Sequence, residues 1–195
     1  MMPSQQVYDM FSRLVGYPGE EHAGRIATYR TLFLAPPGGA EQPALFALEV
    51  IGSVKQFFDE TEAFLPGEME ELYTRTFDIN PVASLELGWH LYGEQYERGA
   101  FLVKMRQMLH KHFIEEAVEL PDHLMHVLLL LGRMEKQDAD HLAVTYVLPA
   151  LDKILEGFAG VENPYKNLLQ SLRTFVQQQH VPTEPNILEG VASHE

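Results

Sequence analysis

Apolar residues recur along this chain at intervals of three and four, the period of one face of an α-helix. Val7, Met10, Phe11, Leu14 and Val15 make the first such face, and Gly16, Pro18 and Gly19 end it. A second helix carries Ile26, Tyr29, Leu32 and Phe33 and stops before Pro36-Pro37-Gly38-Gly39, the plainest loop signal in the sequence. Pro43 is placed to open a third, with Leu45, Leu48, Ile51, Val54, Phe58 and Leu65 turned inward. Pro66 starts a short helix bearing Met69, Leu72, Tyr73 and Phe77. Asn80-Pro81 joins a capping side chain to a first-turn proline, which predicts a helix through Leu85, Trp89 and His90 that Gly93 breaks. Phe101, Leu102, Met105, Met108, Leu109 and Phe113 follow on the next helix. Leu120-Pro121-Asp122 starts another, with Leu124, Val127, Leu128 and Leu131 inside. Asp138 is placed to cap a helix with Leu142, Tyr146, Leu151, Ile154 and Leu155, and Asn163-Pro164 opens the last, with Leu168, Leu169, Leu172, Phe175 and Val176.

No segment alternates convincingly with the two-residue period of a half-buried strand. The pattern therefore predicts an all-α fold, a single bundle of about eight or nine helices. After Gln179 the period fails, and Pro182, Pro185 and Gly190 lie among small polar residues. A helical domain over residues 1–179 and a flexible tail over 180–195 are expected. Nothing repeats internally.

Composition narrows the function. The chain has 195 residues, enough to bury a core without disulfide or metal. It has no cysteine, which excludes iron–sulfur clusters, thiolate zinc sites and thiol catalysis. Fourteen basic against 28 acidic residues give a net charge of -14, which argues against a nucleic-acid surface and suits recruitment of a basic peptide. The start of the chain lacks the basic stretch and continuous apolar run of a secretory leader. The longest apolar cluster, residues 127–131, is far too short to span a bilayer.

Nine histidines invite a metal reading. His110 and His112 point to different helix faces, whereas His123 and His126 are spaced to share an ion. Neither a Glu-x-x-His nor a His-Glu-x-x-His motif occurs, so structural or solvated histidines are the better account. There is no Gly-x-Ser-x-Gly elbow, and Ser53, Ser84 and Ser171 fall within helical patterns. Gly38-Gly39 lacks the Lys and Ser/Thr of a phosphate loop. Two stretches stand out instead. Between residues 73 and 98, Phe77, Asp78, Trp89, His90, Tyr92 and Tyr96 concentrate aromatic and polar groups around turns. Farther on, Glu119-Leu120-Pro121-Asp122-His123 brings acid, proline and imidazole to a helix start. The local positive potential there accounts for Asp122 but disfavours a charged His123.

These residues resemble the redox-enzyme maturation chaperones of the TorD, DmsD and NarJ type, most closely the NarJ-like nitrate reductase assembly branch. Tyr73-Thr74-Arg75-Thr76-Phe77-Asp78 is similar to that branch's Tyr-x-x-x-Phe-Asp segment, followed by Ser84-Leu85, His90 and Gly93-Glu94. Glu97-Arg98-Gly99 resembles its acid-Arg-Gly turn, and Glu119-Leu120-Pro121-Asp122-His123-Leu124 its Glu-Leu-Pro-Asp-His/Tyr-Leu element. The likeness covers residues 72–131, roughly a third of the chain. Met125 stands where the branch usually has proline, and Leu129 where it has glutamate.

The resemblance implies a cytoplasmic chaperone, not a catalyst and without a cofactor. It would bind the apo catalytic subunit of a molybdopterin oxidoreductase through that subunit's N-terminal segment, often a twin-arginine leader or its remnant, until molybdenum cofactor insertion is complete. Residue by residue, Pro121, Asp122 and His123 correspond to the peptide-binding loop, and Tyr73, Phe77 and His90 to positions near the groove. Asp78, Trp89 and Tyr92 join them as candidates, since aromatics concentrate binding energy. Glu94, Glu97 and Glu119 would supply an acidic rim. A monomer is expected over a dimer, with no nucleic acid and no membrane insertion. The competing readings are a metal-dependent helical-bundle enzyme and a permanent structural subunit of a respiratory complex.

Overall fold

Helix α1 (Pro3–Leu14) buries Val7, Tyr8, Met10, Phe11 and Leu14 in the core and pairs with α7 (Leu124–Arg133), one of the two most extensive helix pairs. Gly132 makes this pairing possible: a Cβ there would stand 3.2 Å from Tyr8 Cβ and 3.4 Å from the Gln5 Cα. Ser12 adds a hydrogen bond across the pair, its Oγ–H donating to the Met125 carbonyl at 2.8 Å. We describe the chain from a computed structural model covering residues 3–19, 21–34, 48–79 and 83–181. The expected loop at residues 36–39, the helix start at Pro43, the Asn80-Pro81 cap and the tail beyond residue 181 lie outside the described residues.

The second large pair joins α3 (Leu48–Thr61) to α10 (Pro164–His180). Val50, Val54, Phe57 and Phe58 meet Leu168, Leu169, Leu172 and Val176 in a fully buried layer. Aromatic edges knit α1, α2 (His22–Leu34) and α10 together: Phe11 lies 5.2 Å from Phe33 and 5.9 Å from Phe175. Asn163 caps α10 as its pattern predicts, accepting from the Tyr165 N–H at 3.0 Å, with Pro164 in the first turn. His180 extends α10 one residue past the expected boundary. Its buried ring accepts or donates to Tyr8 Oη at 2.6 Å and meets Asp140 at 2.7 Å.

The remaining elements are α4 (Pro66–Tyr73), α5 (Leu87–Tyr92), α6 (Tyr96–Lys111), α8 (Lys136–Leu142) and α9 (Leu148–Glu156). Two stretches of wider π winding interrupt them, Thr74–Asp78 after α4 and Ala143–Val147 between α8 and α9. The second precedes Pro149, whose missing N–H would otherwise leave a gap in the helical ladder. With that join, α8 and α9 form one rod, and the described residues make an all-α bundle. Strand-like pairing among them is limited to one isolated bridge, Glu86 with His123.

Several expectations need correction. Leu65 and Phe113 are not core residues; they are 67% and 95% exposed. Leu65 precedes α4, and Phe113 follows α6 with φ at 55°. Leu32 is also exposed, on the outer side of α2. Asp138 sits inside the first turn of α8, whose cap position is Glu135. The helix expected from Leu120 begins only at Leu124, and Ser84 and Leu85 precede α5 outside any helix.

Candidate functional site: a buried hub beneath three carboxylates

The late start of α7 has a clear cause. His123 takes the cap position, its Nδ1 accepting the Met125 N–H at 3.2 Å. A lone pair on Nδ1 puts the proton of the neutral ring on Nε2, which faces Tyr73 Oη at 3.5 Å. Burial, and then the neighbouring His126, push the His123 pKa down to about 3, so the ring is neutral as the cap requires. His126 has the opposite tautomer: Nε2 accepts the Ala117 N–H at 3.1 Å, and Nδ1–H donates to the Leu120 carbonyl at 2.9 Å. His123 thus spends its nitrogens on the first turn of α7 and on Tyr73, and His126 spends both of its own on the loop before α7. Among the described residues no cluster of three or more His, Asp or Glu has metal-binding geometry.

Asp122 does not serve the start of α7; it serves the start of α5. Its Oδ2 accepts the Gly88 N–H at 2.8 Å, and its backbone carbonyl accepts the Leu87 N–H at 3.1 Å. Leu124 N–H returns to the Leu85 carbonyl at 2.8 Å, closing the bridge. Gly88 is required here, because a Cβ would fall 2.7 Å from Asp122 Oδ2 and 3.1 Å from Phe101. Burial raises the Asp122 pKa, against the pull of Gly88 N–H and the Arg98 charge, and its Oδ1 has no hydrogen-bond partner.

Three carboxylates near this hub act on one another's charge. Asp78 ends the π segment, Glu86 holds the bridge, and Glu119 belongs to the loop fastened by His126. Burial and then the Glu86 charge raise the Asp78 pKa, opposed by a hydrogen bond from Thr74. Burial, Asp78 and Glu86 raise that of Glu119. Burial, Glu119 and Asp78 lead the causes that drive the Tyr73 phenol far above its usual range, so these groups share one locality.

The structure sorts the expected site residues into two kinds. Tyr73, Phe77, Pro121, Asp122 and His123 are all buried. Tyr73 and Phe77 pack in an aromatic cluster with Tyr165, at 6.0 and 4.8 Å, and so support the surface from below. Asp78, Glu94 and Glu97 are exposed, while Glu119, Trp89, His90 and Tyr92 are half-buried. His90 Nε2–H donates to the Ser84 carbonyl at 2.7 Å, and Lys153 ties the His90 carbonyl to α9 at the same distance. Tyr92 turns away toward Phe101 at 5.5 Å, and Glu97 is near enough to act on its phenol. Tyr92, Glu94 and Glu97 therefore belong to the α5–α6 corner rather than to the carboxylate trio.

Other members escape a sequence reading. Tyr17 is half exposed and packs edge-on against Tyr73 at 5.4 Å. Ile79 and Leu120, 75% and 42% exposed, adjoin Asp78 and Glu119 in sequence. Arg98 lies 5.3 Å over the Trp89 ring. Of these, Arg98 and Leu120 carry a sequence signal, in the Glu-Arg-Gly turn and the Glu-Leu-Pro-Asp-His-Leu element, whereas Tyr17 and Ile79 carry none.

The described residues thus make an all-helical body around a buried polar hub. The family comparison is specific: the model for the nitrate reductase delta subunit matches residues 46–182, and the chain belongs to that family. The family is one of molybdoenzyme assembly chaperones rather than catalysts. No curated protein matches the chain. Among the described residues no helix is long and apolar enough to cross a membrane.

Proposed function

We propose that the chain is a cytoplasmic chaperone that holds the apo catalytic subunit of a nitrate-reductase-like molybdopterin oxidoreductase by its N-terminal segment until the molybdenum cofactor is inserted. The observation that supports this reading is that Asp78, Glu86 and Glu119 lie near enough to act on one another's charge, Glu86 being bridged to His123 of the hub. Like charges are costly to cluster, and a cation arriving among them relieves that cost. A basic residue of the client segment supplies it. Tyr17, Ile79 and Leu120 beside the trio, and half-buried Trp89 on α5, give apolar positions of the same segment a place to rest. In this account Asp122, His123, Tyr73 and Phe77 fix the surface, while Asp78 and Glu119 make the contact. The protein acts alone, as a monomer, and leaves with cofactor loading.

The test is purification of the chain at native levels with mass spectrometry of what accompanies it. The apo catalytic subunit should co-purify, and the chain should be missing from the cofactor-loaded enzyme. Unit stoichiometry in the mature enzyme would instead make it a structural subunit.

A further inference from the structure

Away from the carboxylate trio, the turn between α3 and α4 roofs a cavity of about 200 Å³ against α2. Its walls are apolar at Ile26, Phe64 and Met69, yet His22 stands in them. The His22 ring is 2% exposed, and neither nitrogen has a hydrogen-bond partner. A buried polar group without a partner is rare and costly, and it marks a place where something else completes the bonding. Elsewhere this chain meets the same need with a phenol: Tyr8 Oη sits 2.6 Å from His180 Nε2 in a buried pair. A cavity of about 150 Å³ holds a benzene ring, so this one has room for a ring with one hydroxyl.

The cavity shares one wall residue with a second hollow. Phe64, at its edge, also lines a broader groove of about 620 Å³ between α3 and α10. Gln56, Asn167 and Gln170 line that groove with Glu60, whose carboxylate accepts the Gln56 and Asn167 amide N–H groups at 2.9 and 3.2 Å. Their amide oxygens can accept the N–H groups of an extended peptide backbone, and the Gln170 amide can meet it with both donor and acceptor. We propose that this cavity and groove form a second peptide site, in which a tyrosine side chain of an extended segment fills the cavity against His22 and its backbone runs past Phe64 along the amide-lined groove. The His22 nitrogens are out of reach of solvent, so the ring turns about its Cα–Cβ bond to meet the hydroxyl. His22 is the first residue of α2, where no preceding helical turn confines it.

The site is tested on the full chain by NMR titration with the pentapeptide acetyl-Gly-Gly-Tyr-Gly-Gly-amide, alongside versions carrying Phe or Ala at the centre, and p-cresol. The tyrosine peptide should give saturable shifts at Ala27, Phe64 and Asn167. The alanine peptide should give none, and the phenylalanine peptide should bind at least fivefold more weakly. Ala27→Trp fills the cavity from the exposed side of α2 and should abolish the shifts. His22→Phe should keep binding and remove the preference for tyrosine over phenylalanine. Equal binding of the tyrosine and alanine peptides, or an unaffected Ala27→Trp variant, overturns the site. Tighter binding of p-cresol than of the peptide overturns the peptide as its occupant. None of these probes carries the cationic side chain invoked at the carboxylate trio, so either reading can fail alone.

Discussion

At Gly88 a missing side chain decides the geometry of two helices. The Asp122 carboxylate occupies the space a Cβ would take, and through it α5 is fastened to the loop before α7. Gly88→Ala should destabilise the fold by about 2–3 kcal/mol, measured by denaturant unfolding, because both overpacking and a lost charge-assisted hydrogen bond are incurred. Phe113 is the opposite case. It sits at φ 55° after α6, where Ile114 N–H bonds the Leu109 carbonyl at 2.9 Å in the helix-ending pattern that favours glycine. Its ring is 95% exposed, so Phe113→Gly should stabilise the protein by up to about 1 kcal/mol in the same measurement. The histidines set a pH dependence. His123 and His22 have pKa values lowered by burial to about 3 and about 4, so the folded state prefers them neutral. Their contribution is whole above the unfolded pKa near 6.5 and is lost as pH falls from there toward those folded values. Within that window each should lower unfolding free energy by up to about 1.4 kcal/mol per pH unit, read from melts between pH 7 and pH 4.

Elements show which features a sequence reveals. Helix faces such as Val7, Phe11 and Leu14 were legible because burial on one side leaves a period in the residue types. Asn163-Pro164 was legible because capping chemistry is local. Leu120-Pro121-Asp122 misled: its side chains read as a start for α7, yet the Asp122 carboxylate is spent 34 positions away on α5. A capping residue announces that it serves a helix, not which helix. The π winding at Thr74–Asp78 was likewise invisible, although it places Asp78 at the surface beside buried Phe77. Asn163 braces that segment through Thr76 at 2.8 Å. Asn163→Ala removes both this bond and the α10 cap and should cost about 1–2 kcal/mol, with hydrogen exchange rising first in residues 74–78.

For the molecule as a whole, the family resemblance and the burial pattern divide the work. The resemblance named the family to which the chain belongs, but it does not separate exposed residues of the candidate site from those that hold the surface in shape. Burial makes that separation: Tyr73, Phe77, Asp122 and His123 are covered, Asp78 is exposed and Glu119 half-buried, and we propose the last two as the contacts. The central claim is that a cation of the client's N-terminal segment is received by the carboxylate trio. Isothermal titration of the intact chain with a peptide copying that segment, at low and physiological salt, tests it most directly. The Asp78→Asn, Glu119→Gln double variant should keep its helical circular dichroism, bind at least about tenfold more weakly and lose most of the salt dependence. Unaltered affinity and salt response in that folded variant would contradict the account.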